Sequence, residues 1–151
     1  MKFEIKPERD VFALFPTPVA CFPVENADEI NPGVEHAILQ RENTGQGLQN
    51  SNIGGWQSNL DFIEWPEPEI EELVDSIKCG VLNMVGLVSG IKQFDATLGL
   101  VAWANINRQG HFNQVHTHPG NQWSGVYYVS PGQYEADGID FPGQLQIHDP
   151  R

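Results

Sequence analysis

The longest regular hydrophobic pattern in the chain runs from about Glu67 to Val88. There Ile70, Leu73, Val74, Ile77, Val81, Leu82, Val85 and Val88 recur at intervals of mostly three or four residues and predict a helix with one apolar face. Glu67, Glu69, Glu71 and Glu72 crowd its first turns, where negative charge meets the positive end of the helix dipole, and Gly90 is placed to end it. Four carboxylates so close together also invite a metal-site reading, but a solvated helix start accounts for them more simply. A shorter helix is predicted from Asn31 to Leu39, with Asn31 as its cap and Pro32 at the first helical position.

After Gly90 the period changes from helical to alternating, and from Phe94 onward the chain reads as β structure. Along Thr97–Asn107 one face carries Leu98, Leu100, Ala102, Ala104 and Ile106, a plain core face, while the other carries Val101, Trp103, Asn105 and Asn107. Asparagines on such a strand either satisfy neighbouring backbone groups or face a polar ligand. The β-branched and aromatic run Trp123-Ser124-Gly125-Val126-Tyr127-Tyr128-Val129 predicts a further strand. Upstream, Val11–Phe22 is apolar and punctuated by prolines, which suits an edge strand. The glycine- and asparagine-rich stretch from Asn43 to Trp56 predicts a surface loop whose Trp56 borders a pocket. No internal repeat, low-complexity tract or domain linker interrupts this order.

Composition narrows the function classes. The 151 residues suit one domain, and 40% hydrophobic content supports a real core. A net charge of −12 opposes the counterion release that drives binding to nucleic acid and to anionic membranes. Cys21 and Cys79 have no paired spacing, which predicts reduced, buried thiols in a cytoplasmic setting. Neither a signal peptide nor a run of eighteen apolar residues is present, so no membrane association is expected.

The candidate chemistry lies in Gly110-His111-Phe112-Asn113-Gln114-Val115-His116-Thr117-His118-Pro119. His116 and His118, one residue apart on an extended strand, project from the same face and can converge on one metal ion. Imidazole suits iron, copper, zinc and nickel. The competing reading makes them half-exposed strand residues that hydrogen-bond to adjoining loops. His111 falls at an odd offset from His116, on the opposite face, and His148 alternates with Gln144 and Gln146 on an exposed polar edge, so both rank below the pair.

Several stretches carry a family resemblance when taken in order: Leu14–Val19, Gly54–Ser58, Trp103–Gly110, His116–Pro119, Ser124–Val129 and Gly143–Arg151. Together they resemble the iron(II)/2-oxoglutarate-dependent oxygenase family of largely uncharacterised microbial and phage proteins. The resemblance implies a mainly β fold with N-terminal helices, an α+β arrangement built on a double-stranded β-helix of the jelly-roll or cupin-like type. It divides the single domain 1–151 into an N-terminal strand and helices (1–93) and the first part of the β-helix core (94–151). It implies Fe(II) and 2-oxoglutarate as cofactors, a dioxygenase of hydroxylase type, and an unknown small-molecule or protein substrate. His116 matches the family's first ligand and His118 stands where a carboxylate is usual, a departure that changes the charge of the site. Ser124 and Tyr128, which share a face, are implied to lie against 2-oxoglutarate, with Asn105 or Asn107 hydrogen-bonded to it. Trp56, Trp103 and Trp123 are candidates for the pocket wall.

The family's distal histidine and the basic residue that pairs with 2-oxoglutarate both follow the Asp149-Pro150-Arg151 segment, where this chain ends, and Arg151 does not match that basic residue. The β-helix is therefore expected to be incomplete at its C-terminus, with exposed strand edges that favour a homo-oligomer. An alternative is a cupin-like metal- or sugar-binding barrel, since Gly110 and the two histidines fit the start of the cupin's first motif, although Gln122 stands near the place of its glutamate. A further alternative is a non-catalytic phage structural or interaction module.

Overall fold

A computed structural model describes residues 17–132 and 143–148. Helix α1 spans Ala27–Thr44 and so extends beyond the expected Asn31–Leu39 at both ends. Its buried positions are Ile30, Val34, Ala37 and Ile38, and the pattern begins one residue before Asn31. Burial of Ile30 draws the preceding turn into the helix, and Asn26 takes the N-cap position expected for Asn31. Pro32 consequently sits inside the helix, where it removes the bond to the Asp28 carbonyl. Asn31, freed from capping, reaches sideways: Tyr127 Oη donates to its Oδ1 at 2.7 Å, and its Nδ2 donates to the Val129 carbonyl at 3.2 Å.

Helix α2 spans Pro68–Ser89, starting on a proline at its first turn and ending at Gly90, whose φ of +70° is left-handed and whose N–H reaches the Gly86 carbonyl at 3.0 Å. The predicted apolar face is real but unevenly used. Ile70, Leu73 and Val74 are buried; Ile77, Val81 and Val85 are half-buried, and Leu82 and Val88 are exposed. The first half of α2 packs on α1, and the two helices share a core with Phe62, Trp65 and Ala104. Arg41, in the last turn of α1, fastens them at the surface. Its guanidinium makes two bonds to the Glu67 carboxylate, at 2.9 and 3.0 Å, and lies 3.9 Å over the Trp65 ring.

The β structure is sparse in hydrogen bonds. β1 (Asn52–Ile53) pairs antiparallel with β4 (Phe112–Asn113), and β2 (Trp56–Gln57) pairs antiparallel with β3 (Asn105–Ile106). The expected strand over Thr97–Asn107 therefore forms a ladder only at its end, prolonged by bonds from the Ser58 N–H to the Ala104 carbonyl and from the Phe62 N–H to that of Ala102. Its alternation survives nonetheless. Ala104 is buried and Leu98, Leu100, Ala102 and Ile106 are half-buried, whereas Val101, Asn105 and Asn107 are exposed.

Among the described residues the Trp123–Val129 segment makes no ladder, yet Tyr127 and Val129 pack on the core. Side-chain alternation is thus present without a ladder among the described residues, because alternation records which side chains face the core whereas pairing requires a partner strand. Among the described residues the arrangement is mixed α+β, with two helices and two small antiparallel sheets and no closed jelly-roll barrel. Of the expected edge strand Val11–Phe22, residues 11–16 lie outside the described residues and Thr17–Phe22 forms no strand. Cys21 and Cys79 are exposed rather than buried: the first precedes α1 outside the core, and the second follows Lys78 on an open face of α2. No described helix is long and apolar enough to cross a membrane.

Candidate functional site

The glycine- and asparagine-rich loop is a structural clip rather than a loose connection. Asn52 is buried, and its amide donates to the carbonyls of Leu48 and Gly55 while its Oδ1 accepts from the Asn50 N–H. This fixes the tight reversal between β1 and β2. Gly54 (φ +76°) lies so close to the His111 ring, and Gly55 to the Asn107 side chain, that a Cβ at either position would collide. The loop thereby holds both flanks of the Asn105–Asn113 turn. Within that turn the His111 N–H donates to the Arg108 carbonyl at 2.8 Å, and His111 Nδ1 accepts from the Arg108 N–H at 3.3 Å. His111 is thus a turn residue rather than one on the opposite face of a continuous strand.

Arg108 ties the same turn to α1 through two bonds to Glu42, at 2.6 and 2.7 Å. The guanidinium holds the Glu42 carboxyl below the usual carboxylate range, and the carboxylate in turn raises the Arg108 pKa. Arg41 likewise depresses Glu67, chiefly through their hydrogen bonds and against the opposing effect of burial. Of the glutamates at the start of α2, then, Glu67, its N-cap residue, is an ion-pair partner. Glu72 accepts a hydrogen bond from Asn26.

Beyond β4 the chain carries the two candidate imidazoles. The Gln114 N–H donates to the Ser51 carbonyl at 2.8 Å, which continues the β1–β4 pairing by one residue. Two residues later, His116 Nδ1 lies 2.7 Å from the Gln114 carbonyl oxygen. A carbonyl only accepts, so in the neutral ring Nδ1 carries the proton and Nε2 keeps its lone pair. The His116 and His118 rings lie 4.7 Å apart between centroids, tilted by 49°. On the other side of His118 the Trp103 indole stacks at 5.5 Å with 14° between planes. His116 is exposed and His118 half-buried.

The structure thus brings His116, His118 and Trp103 together, with the segment from Asn113 to His118 departing from a regular strand after β4. Asn105 and Asn107 occupy the same alternating side of their segment as Trp103, and both are exposed. Asn107 is engaged locally, its Nδ2 donating to Asn113 Oδ1 at 2.7 Å. Ser124 and Tyr128 share an exposed side of their segment, opposite the core-facing Tyr127 and Val129, and the Tyr128 ring lies near Gly143.

Trp56 and Trp123 are half-buried. Trp56 packs on the core with its indole N–H donated to the Gly45 carbonyl, so it braces the loop. Gln144, Gln146 and His148 are exposed and form no strand. The Asn107–Asn113–Ser51 linkage escaped sequence reasoning, since Ser51 lies 62 residues from Asn113 and the amide and hydroxyl residues involved carry no spacing signal.

Two imidazoles fit two ligand positions of a transition-metal ion, the tautomer of His116 being the one that exposes Nε2. Among the described residues no group of three or more His, Cys, Asp or Glu side chains is placed to hold a metal ion. Comparison with known families matches residues 101–151 to the family model described as "Putative 2OG-Fe(II) oxygenase", in agreement with the resemblance seen in the sequence. The matched stretch contains Trp103, both candidate imidazoles and the Ser124–Tyr128 segment. No curated protein and no solved structure matches the chain.

Proposed function

We propose that the chain carries part of an iron(II)/2-oxoglutarate-dependent oxygenase site of hydroxylase type. His116 and His118 act as metal ligands, and Ser124, Tyr128, Asn105 and Asn107 line the cosubstrate. Residues 94–151 are read as the first part of a double-stranded β-helix. The observation that carries this reading is the convergence of the two imidazoles beside Trp103 within the segment that matches the oxygenase family.

Iron(II) and 2-oxoglutarate, when bound, would let dioxygen act as the oxidant, one oxygen atom going to the hydroxylated C–H bond and the other to succinate, with carbon dioxide released. The contributions of the chain itself are more modest. His116 presents Nε2 because its Nδ1–H is held by the Gln114 carbonyl. Trp103 covers one face of His118 and shields it from water. Two neutral imidazoles add no negative charge at this point, so an anionic cosubstrate fits the donor set well. Asn105 is exposed on the Trp103 side, where its amide would donate to a carboxylate oxygen.

The test is an anaerobic titration of the purified chain with iron(II) and 2-oxoglutarate, following the visible metal-to-ligand charge-transfer band. A band that disappears on admitting oxygen, with succinate formed, supports the reading. A folded protein that gives no band overturns it for this chain.

A further inference from the structure

We infer that Asn113 is a positioning residue that governs which nitrogen His116 presents. The inference rests on the reading of His116 as a ligand only for its consequence, not for its geometry. Three segments meet at the Asn113 side chain. Its Oδ1 accepts the Asn107 amide at 2.7 Å, and its Nδ2 donates to Ser51 Oγ at 3.3 Å. The backbone beside it is held by the same loop, Asn113 facing Asn52 across the β1–β4 pair and the Gln114 N–H bonding to the Ser51 carbonyl.

These bonds hold Asn113 and the 113–114 peptide, and the carbonyl of Gln114, in the very next peptide, binds His116 Nδ1 at 2.7 Å. A neutral imidazole chooses between two tautomers according to which nitrogen finds an acceptor. Here the acceptor belongs to the peptide that directly follows the one held by Asn113 and Ser51, so its direction is set by how firmly that hold is kept. The two rings are accordingly steadied by different means: His118 by the Trp103 stack, His116 by a chain of hydrogen bonds that originates in the Asn50–Gly55 loop. Without the Asn113 bridges, β4 keeps its two-residue ladder and the Gln114 N–H bond to Ser51, and the Gln114 carbonyl turns away from the imidazole more easily.

The experiment is long-range ¹H–¹⁵N correlation spectroscopy of the full chain labelled in histidine, metal-free, at about pH 8 where imidazole is neutral. The His116 signals are assigned by their loss in His116→Asn. The unsubstituted chain is expected to show His116 protonated at Nδ1. Asn113→Leu, of similar size and without either bond, is expected to move His116 toward the Nε2–H form and to weaken iron(II) binding about ten- to a hundredfold.

Ser51→Ala removes one bridge and leaves the Asn107 bond. It should give a smaller shift in the same direction, and it serves in place of Asn113→Leu if that variant does not fold. A His116 protonated at Nε2 in the unsubstituted chain overturns the inference, as does an unchanged tautomer in the substituted chains. A shifted tautomer together with no iron(II) binding by the unsubstituted chain supports the hold of Asn113 on His116 and overturns the ligand reading alone.

Discussion

The Trp103 indole and the His118 imidazole are nearly parallel, 14° apart with centroids 5.5 Å from each other. The stack joins the alternating strand-like segment at 97–107 to the loop after β4, two parts of the chain that share no backbone ladder at this point. An aromatic stack of this kind contributes about 0.5–1.5 kcal/mol beyond the area it buries. Its effect on His118 is to limit the rotamers open to a half-buried ring. Trp103→Ala is therefore expected to weaken iron(II) binding about two- to tenfold, while Trp103→Phe retains most of the affinity. Anaerobic iron(II) titration of the two variants checks this, and equal affinity in Trp103→Ala and the unsubstituted chain would remove Trp103 from the site.

Asn31 offers a prediction about folding rather than ligation. It accepts from Tyr127 Oη and donates to the Val129 carbonyl, and so ties α1 to the segment whose other side carries Ser124 and Tyr128. Replacing Asn31 with Ala leaves a part-buried hydroxyl and a carbonyl without these partners, at an expected cost of about 1–3 kcal/mol. Tyr127→Phe removes only one bond and should cost less. Urea denaturation of both variants checks the order, which reverses if Asn31 matters only as a helix residue.

The helices and the alternation of 97–107 were legible because both rest on period, and period reflects which side chains face the core. Ile70, Leu73 and Val74 are buried as the spacing requires, and Ala104 is buried where the alternation places it. The start of α1 was misplaced because Asn31 and Pro32 form a strong local start signal. The helix instead begins where Ile30 can be buried, and local preference yields to packing. Strand pairing was overestimated for a related reason: a β-branched run such as Trp123–Val129 specifies two faces but not a partner for its backbone. At the site, the convergence of His116 and His118 follows from adjacency in sequence. The supports of the pair do not, because Ser51, Trp103, Asn107 and Asn113 meet it only through the fold.

The ion pair between Arg41 and Glu67 predicts the direction of acid sensitivity. The guanidinium lowers the folded-state pKa of Glu67 below its value in the unfolded chain. Stability from this group is therefore fully present above the unfolded-state pKa, about 4.3, and is lost as pH falls through the depressed folded value. The pair is bidentate and lies against the Trp65 ring, which favours the upper end of the range for surface pairs, about 1 kcal/mol. Glu67→Gln should lower stability by about that amount at pH 7 and by little at pH 3. Urea midpoints across this interval check the sign, and a deficit in Glu67→Gln that persists undiminished at pH 3 would assign its effect to packing.

His116 and His118 carry the most direct prediction, because their surroundings differ. His116 is exposed and keeps Nε2 available through one hydrogen bond, so His116→Ala removes little from the folded core and should leave stability nearly unchanged. His118 is half-buried under Trp103, so His118→Ala should also lose part of the stack. If both are ligands, each alanine variant loses iron(II) binding almost entirely despite these unequal structural roles, since a single remaining imidazole is a weak monodentate site. Measured side by side, iron(II) affinity and the urea midpoint separate the two effects. Affinity lost in both variants with only His118→Ala destabilised matches a ligand pair. Affinity unchanged in both sinks the assignment, and the imidazoles would then be a stacked surface pair on the Trp103 side of the fold.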